Sequence, residues 1–208
     1  MFTQFISIGF LILLAAMMPG PDFALVTKNT LLHSRRAGIF TSLGISFGNL
    51  VHITYCVLGL ALVISQSIVI FNMIKYLGAA YLIYLGINLF FKKDNTHVMI
   101  AGTKPIKNDI SDFTALRQGF ICNVFNPKAT LFFLALFTMI IKPNTSGLLE
   151  LVYAIEIFLI AFFWFASLTM ILSHPRVLRV LNKIEKLIPR ILGVFLIGFG
   201  IVLASLER

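Results

Sequence analysis

The chain has 208 residues, of which 59% are hydrophobic and only 12% charged, and its mean hydropathy is +0.96; soluble domains carry roughly 25% charged residues. Seventeen Lys and Arg with eight Asp and Glu cannot cover the water-facing surface of a soluble domain, so lipid is the solvent for most of the chain. At roughly 20 apolar residues per spanning helix, the length allows about six helices and no appended soluble domain.

The elements are read in chain order from apolar runs bounded by charge and turn residues. They lie at about 3–32, 37–64, 68–91, 113–141, 147–173 and 188–205. The first run is preceded by no basic region and reaches Met17-Met18-Pro19-Gly20-Pro21 rather than a small-residue cleavage site. It is therefore read as a spanning segment and not as a removed signal. Cys56 and Cys122 both sit inside apolar runs, which offers neither a disulfide framework nor a zinc motif. The segment from Lys92 to Asp112 has loop chemistry and divides the chain into halves of about 1–91 and 113–208 within a single domain spanning 1–208.

Thirteen of the seventeen basic residues fall in three places. The first loop region holds Lys28, Arg35 and Arg36; the third holds Lys92, Lys93, Lys104, Lys107 and Arg117; the fifth holds Arg176, Arg179, Lys183, Lys186 and Arg190. Cytoplasmic loops retain Lys and Arg, so both termini are expected outside. The net charge of +9 is thereby accounted for by topology, and nucleic-acid binding, which needs a basic face on a soluble domain, is excluded. The fifth loop is read as solvated charge, with contact to anionic headgroups as the alternative.

The two halves echo one another. Met18-Pro19-Gly20-Pro21-Asp22 interrupts the first apolar run and Phe125-Asn126-Pro127-Lys128 the fourth, each after about fifteen residues. A proline costs a helix interior about 3 kcal/mol, so both sites are expected to break their helices. Lys75-Tyr76-Leu77-Gly78 with Gly86 in the third run parallels Arg190-Ile191-Leu192-Gly193 with Gly200 in the sixth. Three spans per half invert the second half relative to the first, so the expected fold is all-α: six transmembrane helices as two inverted three-helix repeats, the first helix of each broken. Gly44 and Gly48 are read as close-packing positions of the second run.

Each break carries an ionisable residue. A charge at mid-membrane costs about 2.5–3.5 kcal/mol on insertion scales, so such residues pair or serve a pathway. Asp22 follows Pro21 and is placed to cap a new half-helix running to about His33; Asn126 precedes Pro127, with Lys128 in the following turn. One reading is a buried ion pair that locks the broken helices. The other uses the positive ends of the half-helices and Lys128 for a carboxylate, and Asp22 for an ammonium or a proton, which together fit a zwitterionic amino acid. Candidate substrate-binding residues are Gly20, Pro21, Asp22, Asn123, Asn126 and Lys128; candidate proton-coupling residues are Asp22, His52 and Glu156. Gly44, Gly48 and His52 share one helical face, and His52 reads equally as a hydrogen-bonded packing residue. Trp164 reads as packing or interfacial.

Pro19-Gly20-Pro21-Asp22, Gly44-Ile45-Ser46-Phe47-Gly48-Asn49-Leu50-Val51-His52, Leu77 to Gly86, Gly119 to Asn123 with Asn126-Pro127-Lys128, and Gly198-Phe199-Gly200-Ile201 together resemble the lysine exporter superfamily in its threonine/homoserine exporter branch. The resemblance covers essentially the whole chain, and its specific part is the Pro-Gly-Pro-Asp and Asn-Pro-Lys pair. It implies a bacterial inner-membrane exporter of amino acids or their derivatives, driven by the proton gradient, with its signature sites at Pro19 to Asp22 and Asn126 to Lys128. Neither a cofactor nor a metal is implied, and no substrate within the class; homo-oligomerisation stays open. Glu156 departs from the pattern, in which an acidic residue stands nearer Trp164. The alternative function is a membrane channel or metal-ion exporter, which the cationic Lys128 and the want of a carboxylate cluster disfavour. An enzyme would need a nucleophile and base that no local motif supplies.

Overall fold

The computed structural model describes residues 2–91, 109–140, 145–173 and 187–205. These form eight helices: α1 (Phe2–Met17), α2 (Pro21–Leu32), α3 (Arg35–Gln66), α4 (Ile68–Phe90), α5 (Asp112–Val124), α6 (Pro127–Ile140), α7 (Gly147–Leu172) and α8 (Leu187–Ser205). Serines start several of them for a stated chemical reason. Ser34, Ser67, Ser111 and Ser146 accept hydrogen bonds from the backbone N–H groups of Ala37, Ile70, Thr114 and Leu149, satisfying donors that the first turn leaves over.

Three helices, α3, α4 and α7, are long and apolar enough to cross a membrane unbroken. Two further crossings form if α1 with α2, and α5 with α6, each count as one bent span; the bends are 61° and 59°. The apolar part of α8 is shorter, Pro189–Ser205. All six expected apolar segments thus fall on helices, and both expected breaks are real. The outer surface agrees with a lipid solvent: Val69, Leu77 and Tyr84 of α4 are 65%, 67% and 61% exposed, a density of apolar exposure that water does not tolerate. Most of the basic residues expected in the third and fifth loops, Lys92, Lys93, Lys104, Lys107, Arg176, Arg179, Lys183 and Lys186, lie outside the described residues, as does most of the linker between the halves.

Two backbone-to-backbone crossings hold the bundle. A Cβ on Gly44 of α3 would collide with the Leu116 carbonyl of α5, and one on Gly119 of α5 with the Thr41 carbonyl of α3. Gly86 of α4 and Gly193 of α8 stand in the same mutual relation, a Cβ on either coming within 2.6 Å of the other's carbonyl oxygen. With little hydrophobic drive between helices in lipid, this close approach supplies the packing contacts that hold them together. The short helix α2 packs Val26 against Ile45, Phe165 and Leu168 and is also fixed by polar contacts. Asn29, fully buried, donates to Thr41 Oγ1 and Gln118 Oε1, and Thr30 donates to Thr169. At the same end Arg36 clasps Asp112 through two parallel hydrogen bonds of 2.8 and 2.6 Å. The pair is exposed, so it contributes little energy and mainly marks that α3 and α5 begin on one face.

Gly119→Val is expected to separate α3 from α5 and to destabilise the protein by about 1–3 kcal/mol, the range for overpacking. Gly59→Val, where a Cβ meets nothing within 4 Å, is expected to be neutral. Thermal unfolding of the two variants in detergent checks the contrast.

Candidate functional site

The site is built at the two breaks. Pro21 has no N–H, so α1 cannot continue its hydrogen-bond ladder across it, and the turn opens at Pro19 and Gly20. Gly20, in extended conformation, is the N-cap of α2 and gives no side-chain bond; its carbonyl accepts from Ala24 N at 2.9 Å. Asp22 was the expected cap. It lies instead in the first turn, because Pro21 takes the first helical position, and its carboxylate is turned toward α5 and α6. Asn126 does cap α6: its Oδ1 accepts from Lys128 N at 3.1 Å, and Pro127 takes the first helical position. A Cβ at Gly20 would lie 3.0 Å from Lys128 Nζ, so the glycine leaves room for the close approach of that side chain.

Hydrogen bonds across the breaks draw them together. Asp22 Oδ2 accepts from Asn123 Nδ2 and from Asn126 Nδ2, both at 3.0 Å. Lys128 Nζ donates to the Met18 carbonyl at 3.1 Å. The Cys122 thiol, a weak donor, also interacts with Asp22. Oδ1 of Asp22 is buried and accepts no conventional hydrogen bond. A further orphan of the break is the Ala16 carbonyl, whose helical partner would have been the N–H of residue 20. Trp164 Nε1 of α7 donates to it at 3.1 Å, so Trp164 does more than pack: it satisfies a peptide group that lipid cannot.

Behind Asn123 stands His52. Its Nε2 contacts the Asn123 carbonyl at 3.0 Å; a carbonyl only accepts, so Nε2 carries the proton, and in the neutral ring Nδ1 then accepts from the Tyr55 hydroxyl. The imidazole is fully buried and stacks on Phe133, centroids 5.3 Å apart. Gly48, one turn before it, lets Asn123 in: a Cβ there would lie 2.5 Å from Asn123 Oδ1.

A cavity of about 50 Å³ lies against these groups, room for roughly three to five waters at about 10–15 Å³ each. Gly20, Asp22, Asn49, Asn123, Asn126 and Lys128 form its polar side. Of the residues expected to bind substrate, five line this cavity. Pro21, which is exposed, does not. Among the expected proton-coupling residues, Asp22 lines it and His52 lies one residue behind its wall. Glu156 is elsewhere on α7: buried, with Oε1 set against Gly9 of α1 and Oε2 lacking a hydrogen-bond partner. Sequence reasoning missed Trp164 and Tyr55 as partners of the site. The phenol three residues after His52 on one helical face was the available signal for Tyr55, whereas no spacing rule joins the indole N–H of Trp164 to Ala16, 148 positions away.

A bundle of apolar helices with a polar cavity at two helix breaks defines a polytopic membrane protein. The model of the LysE type translocator family matches residues 13–207, and the chain belongs to that family. It is 36% identical over 196 residues to the uncharacterized membrane protein YrhP of Bacillus subtilis (strain 168), covering 90% of this chain and 93% of that protein. It is 29% identical to the leucine efflux protein of Enterobacter sp. (strain 638), over 92% of this chain and 90% of that one. With the threonine efflux protein of Salmonella typhi it shares 26% identity, over 97% of both. No solved structure matches the chain.

Trp164→Phe keeps an aromatic ring but removes the donor to Ala16. It is expected to cost about 1–3 kcal/mol of stability, the range for a buried polar group left unpaired, read as a lowered midpoint of unfolding in detergent.

Proposed function

We propose that the chain exports amino acids or their derivatives by secondary active transport, with the zwitterion bound in the cavity at the two breaks. The observation that carries this reading is the pairing in one cavity of an anion and a cation at the starts of two half-helices. Asp22 offers an ammonium a buried Oδ1 that accepts no conventional hydrogen bond. Lys128 and the positive ends of α2 and α6 favour a carboxylate. Relatives named for leucine and threonine efflux support the substrate class.

In this reading the present cavity is too small for most amino acids, and it enlarges when the broken helices move in alternating access. The matched bends of 61° and 59°, together with the α3–α5 and α4–α8 crossings, favour two inverted repeats that rock about the site. Coupling follows from competition: a proton and the substrate ammonium both claim Asp22 Oδ1, so binding one releases the other. His52 holds Asn123 against Asp22, and Glu156 is a second buried carboxylate able to carry a proton. The protein works in a bacterial inner membrane with both termini outside and the Arg36–Asp112 end in the cytoplasm.

Asp22→Asn and Lys128→Ala are each expected to reduce efflux from amino-acid-loaded proteoliposomes to background while the protein stays folded by circular dichroism. Full efflux by either variant would sink the site. A reporter fused at Arg208 is expected to be active only on the outer side of the membrane.

A further inference from the structure

Resting on the zwitterion site above, we propose that the side chain of the exported amino acid is neutral and aliphatic, and that Ala161 and Phe165 of α7 set its size. Every charged group on the cavity is accounted for by the backbone of an amino acid. Asp22 faces its ammonium and Lys128 its carboxylate, and the cavity wall offers no third ionisable side chain among the described residues. The remaining polar lining, Asn49, Asn123 and Asn126, stands on or beside the breaks. The rest of the wall is apolar and includes Ile12 and Ala15 of α1, Phe132 and Phe133 of α6, and Ala161 and Phe165 of α7.

A substrate held by its charged end at the breaks therefore directs its side chain onto this wall. An ammonium or carboxylate there would be buried without a partner, which the interior of a membrane protein resists strongly. The nearest carboxylate on the same helix, Glu156, does not line the cavity and packs against Gly9. A hydroxyl set against these apolar side chains would also lose its hydrogen bonds with water and find no partner among them, although an apolar pocket discriminates against an added hydroxyl by only about a hundredfold at most. Ala161 is 2% exposed, and Phe165, one turn further, 3% exposed. A small residue and a ring one turn apart on α7 thus both line the cavity, and changing the volume of either changes the room left for a side chain.

The test is counterflow into proteoliposomes of the purified full chain with labelled leucine, valine, threonine, lysine and glutamate. Leucine and valine are expected to exchange, threonine about ten- to a hundredfold more slowly than its isostere valine, and lysine and glutamate no faster than through protein-free vesicles. Lysine or glutamate at the rate of leucine, or threonine at the rate of valine, would overturn the apolar wall. Ala161→Val is expected to raise the alanine-to-leucine ratio at least fivefold, and an unchanged ratio would remove Ala161 from the wall. Should that variant not fold, Phe165→Leu, which shortens the closing residue, is expected to raise the ratio of phenylalanine to leucine exchange, with an unchanged ratio counting against the assignment. Asp22→Asn separates the two readings. Exchange of lysine that is lost in Asp22→Asn overturns the aliphatic assignment and leaves the zwitterion site standing, whereas exchange that survives in Asp22→Asn overturns the site itself.

Discussion

The carboxylate of Asp22, gripped by the amides of Asn123 and Asn126, is the contact on which the arrangement turns. It joins two helix breaks that lie more than 100 residues apart in sequence, and it does so with groups that lipid would penalise if they were left alone. A charge at this depth needs donors, and an asparagine side chain needs an acceptor. The clasp satisfies both with one oxygen of the carboxylate and leaves the other, Oδ1, facing no conventional donor. The same residue is thereby a structural tie and, in the function proposed above, the place where an ammonium gains an interaction.

Breaking a helix in a membrane exposes peptide groups to a medium that cannot hydrate them. Side chains from other helices meet carbonyls at the breaks: Trp164 the Ala16 carbonyl, Lys128 the Met18 carbonyl, His52 the Asn123 carbonyl. The site is accordingly supported by α3 and α7 as much as by the helices that break. His52, stacked on Phe133 and oriented by Tyr55, is held in one tautomer by that support, which fixes Asn123 and through it Asp22.

The backbone approach at Gly44 and Gly119 gives these contacts their precision. Because α3 and α5 touch main chain to main chain, Gly48 and Asn123 are brought together a turn further on, and His52 a turn beyond that. A bulkier crossing would move α5 away from α3 and pull Asn123 off the histidine. The polar seam of Asn29, Thr41 and Gln118 does the same for α2, whose twelve residues are too few to be stable without tertiary contacts.

Much of this was legible in the order of residues. Apolar runs located every helix, since each must satisfy its own backbone in lipid, and prolines located both breaks, since a missing N–H acts locally. Asp22, Asn126 and Lys128 stood out because charge and polarity in an apolar run are costly wherever the chain goes. What the sequence did not carry was which group meets which. Asp22 read as a cap because capping is a short-range rule, yet its carboxylate is drawn to donors on α5 and α6 that only the crossing of α3 with α5 brings near. Trp164 and Glu156 lie eight residues apart on one helix. That spacing does not say that the first reaches the Ala16 carbonyl at the break, nor that the second faces Gly9 away from the cavity. The amino-acid sequence determined by itself that the chain lives in lipid, where its helices run and where they break. The tertiary structure decided how the two breaks meet, because hydrogen bonds between distant residues depend on the angle and distance at which helices cross.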